Sequence, residues 1–329
     1  MQKKLLPILL ISLIAAIMAA CVSAPADEPA NTGADTAEEE VAVEALRVAL
    51  LPILDVLPFF VAEQNGYFID AGIEVESVPV ASAVERDQLM QAGEIDAMLN
   101  EMASSAVFNR DDIQVQVVMA AREATAEAPL FRVLAAPGSA VSSPSDLSGV
   151  PIGISQNTII EYVTERLLEQ EGVEDINGQS VPAIPERFQL LMEGQLEAAT
   201  LPDPLAQSAI ESGAVLVIDD SSYPQFAVSV LTFSSATIES NPEGVRRFLQ
   251  AWNRAAVEIN ANPEEYRALL LERIQVPPNV QEDYEVPPFP EAKVPSEEQW
   301  NDVIEWLQEK GVLDAALPYA DSVNADFLP

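Results

Sequence analysis

Leu89-Met90-Gln91-Ala92-Gly93-Glu94-Ile95-Asp96-Ala97 and Leu190-Leu191-Met192-Glu193-Gly194-Gln195-Leu196-Glu197-Ala198 are one pattern written twice, 101 residues apart. In each copy a helix ends near a glycine that can take a positive φ, an acid follows, and the chain enters a short buried strand leading to a polar loop. Equivalent helix-turn-strand chemistry at a fixed offset predicts two similarly built lobes.

The sequence around each copy extends the reading. Before and across the first lie a strand at Leu46–Leu51, a helix at Leu57–Phe68, a strand at Ile73–Val80, a helix at Val84–Gln91 and a strand at Ile95–Leu99. The second series has strands at Phe131–Ala135, Val150–Ser155, Glu197–Leu201 and Ala214–Ile218, with helices at Thr158–Gln170, Glu186–Met192 and Pro204–Glu211. Apolar strands alternating with amphipathic helices at this spacing predict βαβ units and largely parallel sheets. Phe226–Phe233 reads as a further strand. Asn241-Pro242 and Asn262-Pro263 open helices with an N-cap and a proline at the first position, and Ser296-Glu297-Glu298-Gln299 caps a last one running through Lys310. The proline-rich stretch from Val276 to Pro295 reads as an extended wrap. Trp252, Trp300 and Trp306 fall in these helices at core spacing.

Charge and composition exclude whole classes of function. The 329 residues hold 16 Lys+Arg against 53 Asp+Glu, a net charge of -37. Such a surface repels polyphosphate, so nucleic acid is excluded as a partner, and anionic lipid surfaces are disfavoured. There is no histidine. That removes Ser-His-Asp and Cys-His catalysis and His-ligated zinc. No P-loop, dinucleotide glycine motif, EF-hand or paired-acid motif appears, so no cofactor or metal is expected.

The single cysteine, Cys21, follows Lys3 and Lys4, the apolar stretch Leu5–Met18 and the small pair Ala19-Ala20. A stretch of that length spans about 21 Å as a helix, short of the ~30 Å hydrocarbon core. It reads as a signal peptide over residues 1–20. Met18-Ala19-Ala20-Cys21 resembles the lipobox of bacterial lipoproteins, with Met in place of the usual Leu. The resemblance implies cleavage before Cys21, a lipid on its sulfur and attachment to the outer face of a membrane or location in the periplasm. The following segment to Ala45 carries seven acids and no base. It is expected to be a disordered tether with a reach of about 25 to 30 Å.

In open α/β sheets ligands sit beyond the carboxyl ends of the strands, which directs attention to the loops there. Asp55 and Leu57 lie in the first. Asn100, Glu101 and Met102 lie in the second. Ser155, Gln156, Asn157 and Thr158 lie in the third, and Asp203 between two prolines in the fourth. Ser155–Thr158 precedes a helix, where it can bind an oxyanion or do no more than cap the helix. Asp203 can accept from a ligand amine or simply form a turn, and Asp55, Asn100 and Glu101 carry the same ambiguity. Arg122 and Arg132 can clamp an anion, though neutralising the acidic surface is the favoured reading. Phe59, Phe60, Tyr223 and Phe226 can stack on a heteroaromatic ring, the first pair being better suited to packing its helix.

Leu51-Pro52, then Pro58-Phe59-Phe60-Val61-Ala62-Glu63-Gln64-Asn65-Gly66-Tyr67-Phe68, Ala71-Gly72-Ile73-Glu74-Val75 and Gly93–Ala97 resemble the opening of solute-binding proteins of ABC importers. The resemblance is to the group covering nitrate, alkanesulfonate, taurine and thiamine-pyrimidine binders. Asp146-Leu147-Ser148-Gly149 is similar to that group's entrance to its second lobe, without the lysine that follows there. The resemblance spans roughly Leu46 to Lys310. It implies a type II periplasmic-binding-protein fold: two α/β lobes, each a mostly parallel sheet flanked by helices, with the ligand in the cleft between them. The expected division is residues 46–128 with 232–329 for the first lobe and 129–231 for the second. The implied pocket segments map onto Asp55–Pro58, Asn100–Met102 and Ser155–Thr158.

The function so implied is capture of a small molecule, a sulfonate- or nitrate-like anion or a heterocyclic vitamin precursor, and its delivery to an ABC permease with its ATPase. The protein would act as a monomer held to the membrane by its lipid. Related pyrimidine synthases share the fold but sacrifice a histidine that this chain lacks. The remaining alternative is a sensing or structural surface lipoprotein not coupled to import.

Overall fold

The computed structural model describes residues 45–274 and 276–329. The signal segment, Cys21 and the acidic stretch through residue 44 lie outside the described residues. Two five-stranded sheets organise the rest.

The first sheet begins with β1 (Leu46–Leu50), β2 (Val75–Pro79) and β3 (Ala97–Glu101). These pair in parallel, with β1 in the middle. Between them run α1 (Leu57–Gln64), α2 (Tyr67–Asp70) and α3 (Ala83–Gln91). After β3 come α4 (Met102–Phe108) and β4 (Val115–Glu123). The chain then crosses to the second sheet as β5 (Phe131–Ala135) and repeats the sequence of events. It forms β6 (Pro151–Ile154), α5 (Ile159–Gln170), β7 (Asn177–Ser180), α6 (Ile184–Met192), β8 (Ala198–Pro202), α7 (Leu205–Glu211) and β9 (Val215–Asp219). Finally it crosses back as β10 (Val228–Ser234), which lies in the first sheet along its whole length.

The orders β2-β1-β3-β10-β4 and β7-β6-β8-β5-β9 are the same order built twice. Both sheets are mixed: three strands are parallel, and a strand arriving from the other half is inserted antiparallel between the third and the last. The antiparallel pairings arise because each crossing strand enters its sheet from the edge at which the parallel strands end.

The repeated turn is the same in detail. Gly93 and Gly194 have φ of 68° and 66°. The N–H of Gly93 donates to Met90 and that of Glu94 to Leu89, while Gly194 and Gln195 donate to Leu191 and Leu190. These are the 6→1 and 5→2 closures that satisfy a helix's last carbonyls. The helix expected over Leu57–Phe68 is instead two. Gly66, at φ 72°, breaks it between Gln64 and Tyr67, and both Phe59 and Phe68 still reach the core, where they pack on Phe248.

The remaining helices are α8 (Ser235–Ser240), α9 (Pro242–Ala261), α10 (Pro263–Arg273), α11 (Glu297–Glu309) and α12 (Tyr319–Ser322). Trp252 of α9 is fully buried in the core of the first sheet. Trp300 and Trp306 of α11 are buried in a second core that joins α4 to α5. The Trp306 indole N–H donates to Glu165 at 2.6 Å, and Lys310 bridges Glu161 and Glu165. Helix α11 therefore packs on elements of both halves. No helix among the described residues is long and apolar enough to cross a membrane.

The matched glycines generate a stability test. A Cβ at Gly93 or Gly194 meets nothing within 4 Å, so only the left-handed backbone opposes a side chain. Gly93→Ala and Gly194→Ala are each expected to lower unfolding free energy by about 1 kcal/mol, with Gly→Asn costing less. Urea denaturation of the four variants checks this, and equal loss for Ala and Asn would contradict it.

Candidate ligand-binding site

The carboxyl ends of the parallel strands in both sheets face one cavity of about 50 Å³. The first half contributes Leu51, Ile53 and Asp55 after β1, Asn100 and Glu101 at the end of β3, and Arg86 from α3. The second contributes Ser155 and Thr158 after β6, Pro202 at the end of β8, and Arg187 from α6. Exposed surface in this cavity is mainly apolar, with Phe131, Ile159, Ile160 and Ile184 on the walls.

Several polar groups here are buried. Asp55 is 3% exposed; it accepts from the Ser229 hydroxyl at 2.5 Å and lies 3.6 Å from Arg122. Glu101 caps α4, accepting from the Ser104 N–H at 3.0 Å and from the Ser104 hydroxyl. Burial pushes its pKa up against the pull of Arg86. Thr158 performs the capping expected of its segment, since its hydroxyl accepts from Ile160 N–H at 3.2 Å and donates to the Ser155 carbonyl at 2.7 Å. That leaves the Ser155 hydroxyl over. Four buried polar atoms of residues that line this one cavity have no hydrogen-bond partner: Arg86 Nη2, Asn100 Oδ1, Ser155 Oγ and Arg187 Nη2. Buried polar groups are nearly always satisfied, and an unmet one costs roughly 1–3 kcal/mol.

Of the sequence-predicted residues, Asp55, Asn100, Glu101, Ser155 and Thr158 meet at the cavity. Leu57 is fully buried in the core of the first sheet. Gln156 and Asn157 are exposed on the loop; Asn157 has φ 57° and its backbone N–H donates to Glu161 at 2.6 Å. Met102 and Phe226 flank a separate small recess beside Tyr162, on whose ring Phe226 packs edge-on at 6.0 Å. Asp203 faces a more open recess of about 400 Å³, which it shares with Arg122, Arg132, Tyr284 and part of the proline-rich wrap. There it pairs with Arg132 at 2.7 Å. Burial pushes the Asp203 pKa up, and Arg132 and Arg122 pull it down. The two arginines that sequence reasoning considered thus serve buried carboxylates. The two that reach the cavity, Arg86 and Arg187, were missed. The available signal was the internal echo, because 86 and 187 are also 101 residues apart.

The segments crossing between the halves are fastened at Asp220. Its buried carboxylate accepts from the backbone N–H groups of Leu130 and Phe131, both at 2.9 Å.

A cleft between two mixed α/β lobes joined by two crossing segments defines the class: a two-lobed binding-protein fold. The NMT1/THI5-like family matches residues 54–266, and the chain belongs to that family. The alkanesulfonate-binding protein of Xanthomonas axonopodis pv. citri, solved with MOPS bound, superposes with a TM-score of 0.72 at 16% identity, covering 86% of this chain and 99% of that one. The periplasmic nitrate-binding protein of Synechocystis PCC 6803 superposes at 0.66 and 13% identity, covering 87% of each. A desulfurization enzyme superposes at 0.62 and 15% identity, covering 86% of this chain and 97% of that one. No curated protein matches the chain.

Burial lifts the Asp220 pKa to about 7, with the two backbone donors opposing the shift. An unfolded Asp titrates near 3.9, so between those values the native state binds the extra proton. Its contribution to stability therefore falls as pH rises from about 4 to about 7 and is level above. Glu101 and Asp203 are shifted in the same direction. Denaturation at pH 5 and pH 8 is expected to show a smaller difference for Asp220→Asn than for the wild type. An unchanged difference would remove Asp220 as a source of the pH dependence.

Proposed function

We propose that the protein is the extracytoplasmic solute-binding component of an ABC importer. It captures a small molecule, a sulfonate- or nitrate-like anion or a heterocyclic vitamin precursor, and passes it to a permease with its ATPase. The observation that carries the reading is the set of four unpartnered buried polar atoms where the strand ends of both lobes converge. A ligand that met donors and acceptors from both lobes would favour the closed arrangement by its higher affinity for it. The fold shared with sulfonate- and nitrate-binding proteins supports the same reading.

Binding without bond making suits the residue types. The chain has no histidine, so the cavity brings no imidazole to a substrate. The polar atoms it does bring are suited to holding and orienting.

Export and anchoring belong to the same proposal. Cys21, behind an apolar segment too short to span a bilayer, carries the lipid, and the acidic stretch after it lets a monomeric body sample the space above the membrane. The full chain expressed in a bacterium is expected in the membrane fraction and in the detergent phase on phase separation. Cys21→Ser should move it to the aqueous phase; retention of the variant in detergent would exclude the lipid.

A thermal-shift screen of the full chain tests binding, with nitrate, sulfonates, taurine, amino acids, pyrimidines, thiamine and flavins as the panel. A ligand at 100 times its Kd adds about 2.7 kcal/mol, enough for a clear rise in Tm. A blank after refolding to strip carried-over ligand would move weight to a sensing or structural surface lipoprotein.

A further inference from the structure

Resting on the reading of the cavity as a ligand site, the internal repeat goes one step further. Glu85-Arg86-Asp87-Gln88 and Glu186-Arg187-Phe188-Gln189 continue the echo upstream at the same offset. On α3 the buried residues are Arg86 and Met90; on α6 they include Arg187 and Leu191, again four apart. Each guanidinium donates to a strand carbonyl at matched positions, Arg86 to Leu99 at 3.3 Å and Arg187 to Thr200 at 2.9 Å. The repeat therefore delivers one arginine from each lobe to the same cavity, each with its Nη2 making no hydrogen bond.

Their surroundings differ. Arg86 pairs with Asp87 at 2.7 Å, and its Nη2 lies 3.8 Å from Glu101. Arg187 has no carboxylate at ion-pair distance among the described residues; its Nε and Nη1 are occupied by the carbonyls of Thr200 and Val181. It is 0% exposed. A guanidinium buried without a counter-ion is held at a cost that a bound anion would relieve.

We propose that Arg86 and Arg187 form a two-armed clamp for the oxyanion head group, carboxylate or sulfonate, of a small monoanionic ligand, whose charge supplies the counter-ion that Arg187 lacks. The Ser155 hydroxyl offers a third donor. Asn100 directs its amide N–H at Ser105 at 3.1 Å, leaving Oδ1 as an acceptor on the cavity. The ligand therefore also carries a hydroxyl or N–H donor. Because the arms come from different lobes, an anion held by both favours the closed form, in which Arg187 gains its counter-ion.

The test is a thermal-shift and calorimetric titration of the full chain at fixed ionic strength. The probes are acetate, methanesulfonate and 2-hydroxyethanesulfonate as monoanions, sulfate as the dianion and cytosine as a neutral heterocycle. The expected result is saturable stabilisation by monoanions, strongest for the probe bearing a hydroxyl; the lower Kd of acetate or methanesulfonate assigns the head group. Arg187→Met should weaken binding roughly ten- to a hundredfold. Arg187→Lys should fall between, because it keeps the charge and loses the fork. Arg86→Met gives an independent reading if Arg187→Met does not fold. Monoanion affinity unchanged in Arg187→Met or Arg86→Met overturns the clamp. A wild type that answers cytosine and not the anions overturns the clamp and leaves the binding function standing, whereas a blank here and across the broader panel overturns both.

Discussion

Each sheet of this protein is completed by a strand that has first travelled through the other. β10 sits between β3 and β4, and β5 between β8 and β9. Among the described residues β4 and β9 are edge strands paired with these inserted strands, β4 adding one isolated bridge from Val117 to Val323. Take away the insertion and each half keeps a three-stranded parallel sheet and a detached edge. The first lobe thus cannot close its hydrogen-bond ladders until the chain has left it, traced the second and returned. The same constraint puts both crossing segments together, where Asp220 fastens them, and leaves the carboxyl ends of the parallel strands facing each other across a cleft.

Electrostatics follow from that placement. A chain of net charge -37 gathers several of its few arginines at the meeting of the lobes. Arg122 faces Asp55 and Arg132 faces Asp203, while Arg86 lies between Asp87 and Glu101. Buried pairs of this kind add little net stability, but breaking one strands a charge in a poorly polarisable surrounding. Arg187 is the exception. With no carboxylate beside it among the described residues, burial depresses its pKa to about 10. The acidic surface gives an incoming anion no help at long range, yet donors fixed inside the cleft act at contact distance where screening by water is weak.

Much of the architecture could be read from residues. The turns at Gly93 and Gly194, the caps at Asn241 and Ser296, and the strand-helix alternation all rest on local chemistry, and the structure places elements within a few residues of where that chemistry puts them. What escaped lacked a local signal. β7 is Asn-Gly-Gln-Ser, a polar edge strand that exists because β6 offers it a parallel ladder. α4 follows β3 with no break residue between them, and β4 is buried along nearly its whole length, so no alternation marks it. The site divides the same way. Asp55, Asn100 and Ser155 were found by asking which loops follow strands; Arg86 and Arg187 lie in helices, outside those loops.

The sequence by itself determined that there are two copies of one supersecondary unit and where the strongly capped helices begin, because capping, left-handed turns and apolar periodicity act over a few residues. Only the tertiary structure decided which polar side chains are denied water. Arg86 and Arg187 are ordinary helical arginines until α3 and α6 are laid on β3 and β8, since burial is set by which elements pack together. A guanidinium's need for an anion exists only once that packing has removed the solvent that would otherwise have met it.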